Sequence, residues 1–358
     1  MAFHKLVRTL AVGISLLLAA AAAADGPAKP NTLTPKEIAD GWVLLFDGET
    51  TFGWTLVEGE AVVKDGRLVV GGPKPTKLVS AAEFGSVACK YKYHVPDGKG
   101  AAGGRVSHLD HKNELASAAG ETAEVNWVSA EGRADPLTIE TPANQVIVFE
   151  YFLVRPRVNR EYSASDLAPL FNGKDLTGWV PYAGDPKRSR SKFTVTPAGE
   201  LSVKDGPGDL QTEKQFDDFV LQLECKTNGK ALNSGVFFRC LPGQYQQGYE
   251  AQVQNAYLGD DRTKPVDFGT GAIYRRVKAR KVVSNDNEWF AMTVLARGPR
   301  IATWVNGYPV VSWTDERKPA DNARNGLYTK KGPISLQGHD PTTDLLFRNI
   351  RIAELKKD

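Results

Sequence analysis

Residues 44–54 read LLFDGETTFGW, and residues 169–179 read PLFNGKDLTGW. Each stretch joins an apolar run to an Asp-Gly or Asn-Gly turn and closes on Gly-Trp. A strand pattern with a further glycine turn follows each: GEAVVKDGRLVV at 59–70, and GELSVKDG at 199–206. An opening used twice at this distance marks one structural unit present in two copies.

The surroundings of the second copy fix what the unit is. Short β-rich runs alternate with Gly, Pro, Asn and Asp clusters, which predicts strands near 193–196, 200–203, 219–226, 235–240, 249–254, 290–297, 300–305, 334–337 and 345–353. Asn306-Gly307 carries the signature of a type I′ hairpin. Many short strands with almost no helix predict an all-β protein, a β-sandwich or jelly roll. One short helix is expected at Thr34, with Pro35 at its first position, Glu37 completing a capping box and Gly41 ending it. The first copy aligns Phe149–Val158 with Met292–Ile301 and then stops near 162, so it is read as truncated. Its exposed edges call for packing against its neighbour.

A chain of 358 residues is long enough for two cores. His4, Lys5 and Arg8, the apolar run Leu10–Ala20 and the small residues Ala22–Ala24 read as a secretory signal, with a membrane anchor as the alternative. The expected organisation is a signal over 1–24, a Pro-rich leader over 25–40, a divergent β-unit over 41–162 and a full unit over 167–356. The protein is therefore expected to be exported, periplasmic or extracellular, with no stable membrane span once the signal is removed. Loss of Lys5 and Arg8 takes the formal charge from +3 to +1, which gives no electrostatic case for nucleic acid. The cluster Arg275, Arg276, Lys278, Arg280 and Lys281 lacks interleaved aromatics and reads as a solvated loop. Cys89, Cys225 and Cys240 have no metal-ligand spacing. Cys225 and Cys240 flank one expected hairpin but do not sit opposite each other across it. The sequence sets no oligomeric state.

Strand alternation separates a core face from a polar one. Tyr249, Ala251 and Val253 point one way, and Glu250, Gln252 and Gln254 the other. Ile334 and Leu336 face the core, while Ser335, Gln337 and His339 face away. Arg239 shares a face with Phe237 and Gly235. Glu, Gln, His and Arg on adjoining strands suit a sugar, with an ordinary solvated sheet face as the plain alternative. Trp179 and Trp304 sit in apolar frames and read as core.

The second copy resembles the 3-keto-disaccharide hydrolase domain family. The strings LFNGKDLTGW, DFVLQLECK, NSGVFFRC, GYEAQVQN, TGAIY, NEW, WVNG, ISLQGHD and FRNIRI follow the family's order over nearly all of 167–355. The first copy resembles it only in its opening and its KDGRL turn. The resemblance implies a concanavalin A-like jelly roll with a concave sugar-binding face, acting on glycosides or disaccharides whose C3 hydroxyl has been oxidised. A C3 ketone acidifies the C2 proton, so a base can remove it, the C1 substituent can depart and water can add back. That route needs one base, one acid and support for the enolate oxygen.

On this reading Glu250 and His339 are the catalytic candidates, in either order. Arg239, Gln252, Gln337, Asn233 and Tyr274 are the substrate-binding set. The chain departs from the family pattern at Asn255, where Asp is common, at Gly338-His339-Asp340, where Asp-His-Gly is common, and at Phe290, where Asn is usual. The sequence identifies no cofactor. A divalent metal is conceivable at 259–261 or at the Asp340 turn, where no spacing is diagnostic. In the first copy, Gly103–His108 stands where NSGVFFR falls, and Glu124 and Asn126 alternate as Glu250 and Gln252 do; a scaffold or carbohydrate-binding role is expected there. A non-catalytic lectin-like module is the alternative function. A conventional glycoside hydrolase is the third, set back because no second carboxylate accompanies Glu250 on these strands.

Overall fold

The computed structural model of the protein describes residues 31–96, 104–115, 121–129, 134–157 and 167–355. The expected signal segment, residues 25–30 of the leader and the end of the first unit lie outside them.

The first unit opens with helix α1 (Pro35–Ala39). Thr34 caps it, and Glu37 returns a bond to the Thr34 amide, completing the expected capping box. Its strands follow in chain order: β1 (Val43–Leu44), β2 (Trp54–Glu58), β3 (Ala61–Lys64), β4 (Arg67–Gly72), β5 (Thr76–Phe84), β6 (Ser86–His94), β7 (Gly104–His108), β8 (His111–Leu115), β9 (Thr122–Ser129), β10 (Asp135–Thr141) and β11 (Gln145–Arg157). The second unit contains β12 (Ala168–Pro169), β13 (Trp179–Pro181), β14 (Lys192–Val195), β15 (Leu201–Lys204), β16 (Gly208–Phe216), β17 (Phe219–Thr227), β18 (Ser234–Phe238), β19 (Tyr249–Val253), β20 (Phe290–Arg297), β21 (Arg300–Val305), β22 (Tyr308–Thr314), β23 (Gly332–Gly338) and β24 (Asp344–Glu354).

Each unit is two antiparallel sheets face to face. In the first they run β3-β4-β11-β6-β9, with β1 on β11, and β2-β5-β10-β7-β8. In the second they run β14-β15-β24-β17-β20-β21-β22, with β12 on β24, and β13-β16-β23-β18-β19. The two orders superimpose strand for strand once the β21–β22 hairpin is set aside. The expectation that the first copy lacks the end of the fold is thereby corrected: β10 and β11 occupy the places of β23 and β24. Phe149 belongs to the last strand of its unit rather than to a counterpart of β20.

The repeated phrase folds the same way twice. Trp54 Nε1 donates to Leu45 O at 2.8 Å, and Trp179 Nε1 to Leu170 O at 3.0 Å. Leu45 and Phe46 both bond Phe152 O on β11, as Leu170 and Phe171 both bond Ile350 O on β24. The glycines before each tryptophan, Gly53 and Gly178, have φ of 85° and 83°, a conformation that other residues avoid. Asn306 and Gly307 also have positive φ, as the expected type I′ hairpin requires.

Apolar strand faces from both sheets meet in each core. In the second unit Leu221, Leu223 and Met292 pack against Val236, Ala251 and Leu336. The first unit's core extends to Val220, Leu295, Ala302, Trp304 and Ala353, on the outer face of the second unit's larger sheet. Trp304 Nε1 donates to Leu44 O at 3.0 Å, and its ring lies 6.3 Å from Phe84. Two residues of the basic cluster close the same seam. Arg280 reaches Asp47 at 2.6 Å and Lys281 reaches Glu49 at 2.9 Å, so the solvated-loop reading fails for both. The polar face of the smaller sheet of the second unit, on β16, β23, β18 and β19, is turned away from this junction. All three cysteines are buried free thiols. Among the described residues no helix is long and apolar enough to cross a membrane.

Candidate functional site

Register builds the site. Asp209 on β16 faces Gln337 on β23, and Gly235 on β18 faces Gln252 on β19. Because Val236 opposes Leu336, Gln337 and Gly235 share the same cross-strand row. The next row holds Gln211, Ser335, Phe237 and Glu250. Alternation places all of these on the face away from the core, since Leu210, Val236, Ala251 and Leu336 lie in the core.

Glu250 is 7 % exposed, so it is no solvated strand carboxylate. Its side chain lies over Gly235, where a Cβ would fall 2.5 Å from Oε1. Arg324 Nη2 stands 4.0 Å from Oε2, and its guanidinium lies 5.6 Å from the Phe237 ring. Burial pushes the Glu250 carboxyl up to about 8; Arg324 opposes the rise, and Asp267 and Asp209 add to it. Glu250 forms the floor of a hollow of about 340 Å³, which Tyr274, Arg275, Arg276 and Arg324 also line.

Gln252 and Asn233 form one unit with Asp267. The Gln252 amide donates to Asp267 O and Oδ2, each at 3.0 Å, and to Asn233 Oδ1 at 3.3 Å. Asn233 donates in turn to Asp267 at 2.9 Å. These bonds fix the amide's orientation and leave Gln252 Oε1 without a partner. Asp209 Oδ1, Ser335 Oγ and Gln337 Oε1 are likewise buried without a well-formed hydrogen bond, although the Ser335 hydroxyl stands close enough to Asp209 to favour its ionised form. Four such atoms on neighbouring positions of one face are a concentrated polar demand, of the kind hydroxyl groups or water satisfy.

Asp209 is the carboxylate that sequence reasoning missed. It is fully buried, and burial pushes it up to about 7, partly offset by the Gln246 amide and Arg324. Its Oδ2 accepts from Gln246 N at 3.0 Å. The statement that no second carboxylate accompanies Glu250 is thus corrected; Asp209 lies on a strand, β16, that the sequence pattern did not reveal.

Two expected site residues sit elsewhere. Arg239 follows the end of β18 with φ of 49°, which breaks the alternation and turns its side chain inward. There it is fully buried and bonds Asp217 O at 2.6 Å, Gly298 O at 2.7 Å and Asp218 at 2.9 Å. It is a structural ion pair, not a sugar ligand. His339 follows the last residue of β23 and is half exposed. Its Nδ1 pairs with Asp340 at 2.8 Å, so it does not share the Glu250 hollow. Asn255 is a cross-brace. Its Oδ1 accepts from Thr270 and Ser284, each at 2.6 Å, while its amide donates to Asp286 at 3.1 Å.

The loops considered for a metal use their carboxylates on their own turns. Asp261 accepts from Thr263 and pairs with Lys264, and Asp340 accepts from Thr342. Among the described residues no group of three metal-ligating side chains converges. On the first unit, the equivalent face carries Lys77, Arg105 and Glu140 in mutual ion pairs. The expected parallel of Glu124 and Asn126 with Glu250 and Gln252 also fails, because β9 takes the place of β20, not of β19.

Comparison with known proteins follows the division of the chain. No curated protein matches. Among solved structures, a chain from Parabacteroides distasonis described as a candidate glycosyl hydrolase is 24 % identical, with a TM-score of 0.42, over 52 % of this chain and 93 % of that one. A second so described, from the same organism, is 26 % identical, with a TM-score of 0.37, over 49 % and 99 %. The carbohydrate-binding module CBM66 from Bacillus subtilis is 16 % identical, with a TM-score of 0.36, over 50 % and 97 %. The 3-keto-alpha-glucoside-1,2-lyase-like domain profile matches residues 166–353, just over half of the chain and the whole of the unit that carries Glu250 and Asp209. The chain belongs to the 3-keto-alpha-glucoside-1,2-lyase-like domain family.

Proposed function

We propose that the protein is exported and cleaves glycosides or disaccharides oxidised at C3 by elimination followed by hydration, with the second unit as catalyst. The observation that supports this most is a pair of buried carboxyl groups, Glu250 and Asp209, held near neutrality on one polar face of the family's domain. Such groups can exchange protons at physiological pH, as eliminative chemistry requires.

Asp209, the more acidic of the two, takes the C2 proton. The C–H electron pair forms the C1=C2 bond, and the C1–O bond breaks. Glu250, which borders the open hollow, gives its proton to the departing oxygen. Water then enters through that hollow. Glu250 takes a proton from it as its oxygen bonds C1, and Asp209 returns a proton to C2. Water has been consumed and both carboxyls are restored. Arg324, beside Glu250, supplies positive charge for the enolate oxygen. Gln252 and Gln337 accept from sugar hydroxyls, Asn233 holds Gln252 in place, and Tyr274 borders the ring. His339 has no part in this scheme.

Asp209 also gives substance to the conventional two-carboxylate hydrolase, which needs no ketone. Incubation with a 3-keto-glucoside bearing a chromogenic aglycone, beside its unoxidised parent, separates the two. Release from the keto form alone is the expected result. Equal release from both would establish the conventional hydrolase. No release with saturable sugar binding would leave a lectin-like module.

A further inference from the structure

The segment Leu241–Gly248, between β18 and β19, lies over the half of the polar face that carries Asp209, Ser335 and Gln337. Its anchors are few and specific. Gln246 N donates to Asp209 Oδ2 at 3.0 Å, and Arg324 Nε donates to Gln246 O. Gln211 accepts from Gly243 N at 3.1 Å and donates to Gln244 O at 2.8 Å. Pro242, Gly243 and Gln244 are exposed, and Gln246 is held at a φ of 51°. Beneath it, Asp209, Ser335 and Gln337 are 0, 0 and 3 % exposed, each with a polar atom that has no well-formed hydrogen bond. The segment stands between the Glu250 hollow and a second hollow of about 350 Å³, lined by Tyr182, Gln211, Pro242 and Gly243. Tyr245, on the segment, lies 5.6 Å from Tyr182, and the Arg188 guanidinium lies 4.9 Å from its ring.

We infer that a polyhydroxylated ring binds beneath the 241–248 segment, on Asp209, Ser335 and Gln337, and that the segment lifts to admit it. Two of the groups that hold the segment down, Asp209 and Arg324, are also groups such a ring would engage. Ligand hydroxyls that bond them replace the loop's own bonds, so binding and opening are one exchange. Between the open hollow and Gln337 stands Gly235, which has no side chain, with Glu250 Oε1 above it. Tyr245 is placed to fold onto a ring face. A closed segment reduces apparent affinity by the fraction of molecules that are open. A change that loosens it, with Asp209, Ser335 and Gln337 left in place, therefore tightens binding.

This inference rests on the carbohydrate reading of the face but not on the eliminative chemistry. The test measures binding of the 3-keto-glucoside and of its unoxidised parent to the full protein, with hydrogen exchange followed over 241–248. The Gln211→Ala variant loses two anchors and is expected to bind a few-fold more tightly, with a faster on-rate. Gln337→Leu and Ser335→Ala are expected to weaken binding about tenfold while leaving thermal stability near that of the parent. Exchange at the Gln246 amide is expected to rise on saturation, the reverse of ordinary protection. An unchanged or more protected Gln246 amide, with Gln211→Ala weakening binding, would overturn the inference even if turnover is normal. Binding with the expected exchange but no turnover would sustain this site and overturn the eliminative reading instead.

Discussion

Glu250 is a buried acid on the polar face of β19. In the folded protein it holds its proton to about pH 8, against 4.5 for an ordinary glutamate, chiefly because burial disfavours the charge. Between those values the folded state binds more protons than the unfolded one, so this group's contribution to stability falls as pH rises. Glu250→Gln is therefore expected to raise the unfolding free energy at pH 8 by on the order of a few kcal/mol, read by denaturant titration, and to have little effect near pH 4. The same variant should lower cleavage of a 3-keto-glucoside at least a hundredfold. A gain in stability together with a loss of activity marks a functional strain. If Asp209 must be ionised and Glu250 protonated, kcat rises through about pH 7 and falls through about pH 8. A rate that keeps rising beyond pH 9 would remove the protonated acid from the scheme, since exchanging the two roles leaves the same bell. Gly235→Ala tests the space Glu250 occupies. With the added Cβ in the way, kcat should fall tenfold or more while the melting temperature shifts little.

Among the elements, legibility followed hydrophobic contrast. Strands β17, β19, β20, β21 and β24 alternate apolar and polar residues, or run apolar, and their positions could be read to within a residue or two. β16 could not. Its sequence Gly-Asp-Leu-Gln-Thr-Glu-Lys-Gln-Phe is polar at most positions, because Asp209 and Gln211 are held by the 241–248 segment while Glu213, Lys214 and Gln215 are exposed. The second carboxylate of the site lay in that strand and was lost with it. Arg239 misled for the opposite reason: period-two alternation assumes a continuous strand, and a positive φ at the strand's end reversed the side chain. The first unit's final strand was misassigned because Phe149–Arg157 is as apolar as β20, and composition does not distinguish two buried strands. Asn255 stands where the family commonly has Asp. It braces three segments, and Asn255→Asp would set two carboxylates against each other at the Asp286 contact. That variant is expected to lose about 2–4 kcal/mol by denaturant titration at pH 7, and to recover part of it as pH falls towards 4.

For the whole molecule, the repeat was the most telling part of the sequence, and the relation between the copies was the least. Both copies use the same strand order, yet among the described residues only the second has a polar face with unpartnered acceptors on neighbouring strands. In the first, Lys77, Arg105 and Glu140 satisfy one another. The first unit instead supplies a core that runs into the second through Trp304, Val220 and Leu295. The two units are thus expected to unfold in one cooperative transition. Trp304→Ala removes the largest side chain of the seam, costs about 3–5 kcal/mol and should split the calorimetric transition into two. A single unshifted transition in that variant would show that the seam does not couple the units.

The central claim is that cleavage begins with removal of the C2 proton from a 3-keto sugar. Its most direct measurement is the kinetic isotope effect on kcat/KM for a 3-keto-glucoside carrying deuterium at C2, taken near pH 7.5. Elimination predicts a primary effect well above unity in the intact protein. A value of unity, with cleavage proceeding at a measurable rate and chemistry rate-limiting, would contradict it and leave direct displacement at C1 as the reaction.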